Sequence, residues 1–436
     1  YFNFIIFFIS SIYFFFILKN RFNNNLISNL GLMFYVGSPR IFGDSFFNNK
    51  DLVFLSLITI ALFYCFKLLK NFNYKNIIIF SIFSAIATGS RIIGIFLPIS
   101  VLTILFFDIL DKKIEKKYIF KILILVISYF VLTVLLWPYL WSDPLSNFVK
   151  AFTIFSNYII DIQFLFDGNF VSSKSLPYSY LPIWFSISTP IITQLLFVTG
   201  YLFYIKVFFN RLTNIEKSNY NNLWNDQYEK KDFFIFFNLT VILIYLIMSK
   251  AVLYNGWRQV YFLNVFIIYF ASYGIKSLVE NVTFVKKFSK YFYSLIAFSL
   301  ILIFYSIYKY HPYQSLYFNN LSKNNAQTKF EVDYWGLSGK RFLNDIVQIK
   351  KNEKINIGVA SWIPLERSLA LFDKTLKDKI NIVGQDYENA DYIFSNNITE
   401  VNSTINKKYQ IPKNFKKIGE FVIEKTLIYE VYKKEI

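Results

Sequence analysis

Apolar residues run along this chain in blocks of about 17–25, the length that crosses a bilayer core of about 30 Å, separated by short polar stretches. Ten blocks predict spans near residues 1–18, 24–38, 51–69, 75–89, 92–110, 120–140, 182–206, 233–249, 258–276 and 290–308, the second and fourth being short. Residues 75–110 are too long for one helix at about 1.5 Å per residue. The break falls at ATGSRIIG, where Gly89, Arg91 and Gly94 suit a tight reversal.

Beyond residue 308 the pattern changes. Apolar runs shorten to strand length in INIGVA (355–360), INIV (380–383), DYIFS (391–395), GEFVIE (419–424) and LIYEVY (427–432). LSGKRFLNDIVQIKK and PLERSLALFDKTL show the spacing of amphipathic helices. The expected architecture is a polytopic α-helical membrane bundle over 1–308 followed by an α/β domain over 309–436.

Composition agrees with this pattern. Of 436 residues 55% are hydrophobic and only 17% charged, with mean hydropathy +0.39, whereas soluble domains carry about 25% charge. The net charge of +18 is dispersed over loops and tail rather than gathered in one patch, which argues against nucleic acid. One cysteine, Cys65, lies inside an apolar run, so no disulfide framework exists. One histidine, His311, leaves no His/Cys metal cluster, and beside Pro312 it reads as a linker residue. The chain opens at Tyr1 within an apolar run, without a signal peptide's basic flank, and is read as entering a longer protein partway.

The charge that is present orients the spans. Loops 19–24, 67–75, 111–121, 206–232 and 276–290 hold about 19 lysines and arginines, and the alternating loops 38–51, 90–92, 141–181 and 249–258 about 7. The first set is expected in the cytoplasm. Residues 38–51, 141–181, 249–258 and everything after 308 then face outward, into the periplasm if the source is bacterial, with the bundle in the inner (plasma) membrane.

Candidate chemistry collects on that outer side. Asp44 and Asp51 would share a face if a helix ran through both, and paired carboxylates could take up a proton or hold a divalent cation such as Mg or Mn. Asp51 equally reads as the acid that opens a helix and suits its dipole. Arg40, Arg91 and Arg258 run against the charge bias. They read either as arginines reaching the interface or as contacts for an anionic phosphate. Trp137, Tyr139, Trp141, Tyr178, Tyr180 and Trp184 form an interfacial aromatic belt or line a groove for a sugar or isoprenoid, with Asp143, Asp167 and Lys174 as polar handles. Asn281, Asn397 and Asn402 match N-x-S/T in an Asn-rich chain and are assigned nothing.

SPRIFGDSFFNNKD, GSRIIGIFLP, LWPYLWSDPLSNF, LPYSYLPIWFSISTP, YNGWRQVYF, HPYQSLYFNNL and EVDYWGLS, in that order, resemble segments of bacterial family 39 glycosyltransferases. These are membrane enzymes of the GT-C superfamily, related to protein mannosyltransferases and lipid A aminoarabinose transferases. The resemblance implies transfer of a sugar from a polyprenyl-phosphate donor to a lipid, glycan or protein acceptor at the outer face. It places Asp51, and less firmly Asp44, at the reaction centre or a metal. It makes Arg91, Arg258, Lys174 and Arg40 donor-phosphate contacts, and Tyr178, Tyr180 and Trp257 groove aromatics. The family's general base lies in a loop before the second span, where this sequence is expected to begin, so a chain lacking it is expected to be weak or inactive alone. The competing readings are a transporter or flippase of lipid-linked sugars, which would place charges at the membrane midplane, and a non-catalytic relative.

Overall fold

A computed structural model describes residues 1–110, 118–156, 161–213, 223–249, 251–349, 354–399 and 407–435. The centres of the basic loops 111–121 and 206–232, and Asn402, fall outside them. Among the described residues eight helices are long and apolar enough to cross a membrane. The protein is a multi-pass α-helical membrane protein with a C-terminal sheet domain.

The chain divides into two compact units. The first comprises residues 1–159, 189–251 and 257–309. It contains α1 (Phe2–Phe22), α2 (Asn25–Val36), α3 (Pro39–Asp44), α4 (Asp51–Lys70), α5 (Tyr74–Ser90), α6 (Phe96–Leu110), α7 (Ile119–Leu136) and α8 (Pro144–Ser156). Most of α4 is buried, as expected of a helix apolar on every side, whereas α7 turns most of its leucines and isoleucines outward. In lipid that outward face is satisfied, because every backbone polar group is bonded within the helix.

The predicted reversal at ATGSRIIG is present. Backbone of α5 and of the 3-10 turn Ile92–Ile95 approach so closely that a Cβ on Gly94 would sit 2.8 Å from the Thr88 nitrogen. The turn delivers Arg91 to the end of α5 in extended conformation, with φ −149°.

The second unit comprises residues 160–188, 252–256 and 310–436. The sequence-based division at 308/309 therefore omits two earlier stretches that fold with the C-terminal part. One stretch carries a hairpin, β1 (Gln163–Phe166) and β2 (Asn169–Ser172), followed by α9 (Tyr180–Ser188). The hairpin is a correction to the sequence reading, and its signal was present. Asp167–Gly168 sits between two apolar runs with φ of 47° and 82°, the backbone that a two-residue hairpin turn requires.

The single span predicted at 182–206 is also corrected. Pro190 disfavours helix at Thr189, so α9 stops at Ser188 and α10 (Ile191–Thr213) begins anew in the first unit. The first unit continues with α11 (Gln227–Met248), a 3-10 segment Arg258–Leu263 leading into α12 (Asn264–Asn281), α13 (Thr283–Lys287) and α14 (Ser289–Lys309). A Cβ at Gly200 would strike the Phe270 carbonyl and one at Gly274 the Leu196 carbonyl, so these glycines set how closely α10 and α12 pack.

The rest of the second unit holds α15 (Ala326–Lys329), α16 (Gly339–Ile349) and a sheet ordered β4-β3-β5-β7-β6. β3 (Ile355–Val359) pairs in parallel with β4 (Ile380–Gly384) and β5 (Tyr392–Ser395), while β7 (Thr426–Lys434) runs antiparallel to β5 and β6 (Phe415–Ile423). α16 lays Phe342 against Phe394 and Tyr429 on one sheet face. The predicted helix PLERSLALFDKTL is instead two single turns, Glu366–Leu369 and Lys374–Lys377, because the Asp373 carboxylate caps the Leu376 amide at 3.0 Å and restarts the chain.

Candidate functional site

Three breaks in helical structure bring one group of charged residues together in the first unit. α3 begins at Pro39, which suits a first helical position, and carries Arg40 and Asp44, both buried. The helix does not run on to Asp51. A turn over residues 45–50 intervenes, and α4 begins at Asp51 itself. Arg91 ends α5, and Arg258 opens the 3-10 segment before α12.

The Asp51 side chain is sealed from solvent and accepts three hydrogen bonds. Its Oδ1 accepts from Arg91 Nη2. Its Oδ2 accepts from Arg258 Nη1 at 2.8 Å and from Asn48 Nδ2 at 3.0 Å. Asn48 does more than this. Its Oδ1 accepts from the Asp51 backbone N–H at 3.0 Å, which ties the turn to the start of α4, and its Nδ2 also faces Asp44 Oδ2 at 3.2 Å. The two acids are therefore linked by an amide rather than stacked on one helix face.

Arg40, Lys50, Arg91 and Arg258 gather here around Asp44 and Asp51. Burial pushes the Asp44 carboxyl up to about 7, against the pull of Asn48, Arg40 and Arg258. Partial burial, and then repulsion from Arg91 and Arg258, lowers the Lys50 ammonium. The cluster lies where a long apolar helix begins, at the depth of a membrane boundary. Such a cradle suits an anion with several acceptor oxygens, and guanidinium groups match a phosphate bidentately.

A divalent cation fits less well. Among the described residues no three His, Cys, Asp or Glu side chains converge as ligands, and Asp51 is already engaged by two guanidinium groups. A metal there would have to displace an arginine, so no step is derived through one.

The other sequence candidates separate. Trp257 belongs to the first unit, is buried, and stacks edge-on against Tyr261 with ring centres 5.2 Å apart. Lys174, Tyr178 and Tyr180 belong to the second unit. Tyr178 and Lys174 are exposed there. Tyr180 is a core residue rather than a groove aromatic. It is buried against Phe164, Phe166 and Trp184, and its hydroxyl donates to the Gly256 carbonyl at 2.8 Å. Sequence reading gave no role to Asn48, whose amide joins the two acids.

It also missed a second buried acid, Asp232. Arg21 holds it in a fork, with Nε at 2.7 Å from Oδ1, and the Tyr269 hydroxyl donates to the same oxygen at 2.6 Å. Nothing in periodicity announces a pair separated by 211 positions.

Residues 1–137 match the family model described as dolichyl-phosphate-mannose-protein mannosyltransferase. That segment holds Arg40, Asp44, Asn48, Lys50, Asp51 and Arg91, and it agrees with the glycosyltransferase resemblance read from the motifs. Among solved structures, the crystal structure of the Archaeoglobus fulgidus oligosaccharyltransferase in the apo form is similar with a TM-score of 0.43 and 11% sequence identity. The similarity covers 89% of this chain and 57% of that one, so the chain spans little more than half the length of that protein. No curated protein matches the sequence.

Proposed function

We propose that this chain binds a polyprenyl-phosphate-linked sugar at the Asp51 cluster and takes part in transferring the sugar to an acceptor outside the cytoplasm. The observation that carries the proposal is the cationic cradle itself: Arg91 and Arg258 fixed on one buried carboxylate, with Arg40 and Lys50 beside them. Asp51 orients the two guanidinium groups and keeps them close despite mutual repulsion. The donor phosphate approaches these guanidinium groups. The match of residues 1–137 to a sugar-phosphate-dependent mannosyltransferase family supports the same reading.

The lipid part of the donor has a matching surface. An apolar cavity of about 390 Å³ lies between α6, α7 and α8, lined by Ile95, Leu102, Phe130, Val134, Leu145 and Phe148 among others. Ile95 is one turn beyond Arg91. A ligand with an anionic head and a hydrocarbon tail suits cradle and cavity together.

In the transfer, the acceptor oxygen bonds to the anomeric carbon as the sugar–phosphate bond breaks. The electron pair leaves on the phosphate, where the arginines stabilise it. The acceptor proton passes to a base. Asp44, held near neutrality by burial, is the carboxylate of this cluster suited to take it.

The test is transfer of radiolabelled sugar from polyprenyl-phosphate donors in proteoliposomes containing the full-length protein. Arg258→Ala and Asp51→Asn are expected to lower the rate by about 10²–10³, the scale seen when one oxyanion-stabilising donor is removed. Lipid translocation with no transfer would support a transporter instead.

A further inference from the structure

We infer that the helical unit carries a second anion site, around Lys231 at the far end of α4, which holds the phosphate of an acidic phospholipid. Lys231 lies early in α11 and is only 4% exposed. Its sequence neighbours are both paired: Lys230 binds Asp108 at 2.7 Å, and Asp232 binds Arg21 and Tyr269. Lys231 has no hydrogen bond or ion pair among the described residues. Its ammonium lies over the rings of Phe66 and Tyr228, 5.7 and 5.3 Å from their centres.

Cations and acids both lie near it: Lys70 on α4, Arg21 on α1, Asp232 and Asp226. The acids at this end are already used. Asp226 accepts the Tyr228 and Glu229 amides as the α11 cap, at 2.7 and 2.8 Å. Glu229 takes Arg211 at 2.6 Å and the Asn225 amide at 2.8 Å. A buried ammonium facing two further cations is costly, and two ring faces replace only part of its lost hydration. One anion with several acceptor oxygens would complete the arrangement.

The depth identifies the anion's source. Lys70 closes the apolar helix that Asp51 opens, so the two lie about 30 Å apart at 1.5 Å per residue. Lys231 therefore sits at the opposite membrane boundary, where lipid phosphates lie. Phe66 and Tyr228 give the site apolar walls suited to the glycerol and upper acyl chain. This inference does not depend on the proposed transferase activity.

The full chain is placed in nanodiscs of phosphatidylcholine alone or with phosphatidylglycerol. Retained lipid is read by native mass spectrometry, and the thermal midpoint is recorded. Wild type is expected to retain phosphatidylglycerol and to melt higher in its presence. Lys231→Gln is expected to retain about tenfold less, the loss of one charge-assisted contact, and to lose the thermal gain. Lys231→Met, which keeps the side-chain length without the charge, gives the same readout should the glutamine variant fold poorly. Lys75→Gln, at an exposed lysine, leaves both readouts at wild-type values. Equal retention by wild type and both Lys231 variants, or no preference of wild type for phosphatidylglycerol, would overturn the inference. An equal gain from inorganic phosphate in phosphatidylcholine discs would assign the site to a free anion and overturn the lipid.

Discussion

Asp51 and Asp232 are both buried, both stand in the first turns of an apolar helix, and both take arginine. Their surroundings differ. Asp232 is matched: one arginine grips both oxygens, a tyrosine hydroxyl completes them, and Phe22, Tyr228 and Tyr273 rings lie 5.2–5.9 Å from the Arg21 guanidinium. Asp51 is shared. Two arginines share one carboxylate, and another arginine and a lysine stand nearby. One arginine that grips both oxygens holds helices together, whereas one carboxylate shared by two arginines holds them side by side. Burial and an arginine partner alone do not separate a structural aspartate from a functional one; the way its two oxygens are shared does.

The sharpest way to break this comparison is to neutralise each acid. Asp232→Asn leaves Arg21 buried without its counter-charge and is expected to cost about 3–5 kcal/mol of stability, read by denaturation in detergent. Protein that remains folded should bind polyprenyl phosphate as wild type does. Asp51→Asn is expected to do the reverse, weakening ligand binding more than fold, because Arg91 and Arg258 lose the carboxylate that orients them for the phosphate. Equal losses of stability and unchanged binding in both variants would erase the distinction.

Next comes the titration of Asp44. Its carboxyl is raised in the folded protein, so the native state holds a proton that the unfolded state has released. Stability therefore falls as pH rises from about 4 to about 7 and is flat above. The full effect is roughly 3–5 kcal/mol, and Asp44→Asn should lack it. A wild-type melting profile parallel to that of Asp44→Asn over this range would remove Asp44 from the argument.

Tyr269→Phe removes one hydrogen bond to a charged acceptor at the closed pair and should cost about 1.5–3 kcal/mol, with no change in ligand affinity. Smallest is Asn48→Ala, which loses hydrogen bonds worth about 0.5–1.5 kcal/mol each. Because Asn48 ties Asp44 to Asp51, its stability loss should come with a shift of the Asp44 transition to higher pH. A role confined to the turn before α4 would leave that transition in place.

Much of the fold was legible in the chain. Unbroken apolar runs have few alternatives in lipid, and period-two runs after residue 350 became the five strands of the sheet. What escaped depended on single residues against the pattern. Pro190 divided a run that looks continuous, Asp373 split a periodic helix, and Asp167–Gly168 made a hairpin inside a loop. The site was half legible. Arg40, Arg91 and Arg258 stood out because they oppose the charge bias, and the structure brings Arg91 and Arg258 onto Asp51. Tyr180 was misplaced because an aromatic at a boundary looks the same in sequence whether it lines a groove or fills a core. Asp232 was missed because its partner is set by tertiary packing alone.

The most direct measurement of the central claim is the affinity of polyprenyl phosphate for purified wild type, Arg258→Ala and Arg21→Ala, with fold checked in the same samples. The sharing of Asp51 by two arginines predicts at least about tenfold weaker binding for Arg258→Ala. Folded Arg21→Ala should keep wild-type affinity despite lower stability. Wild-type affinity in Arg258→Ala, or an equal loss in both, would contradict the assignment of the Asp51 cluster as the phosphate site.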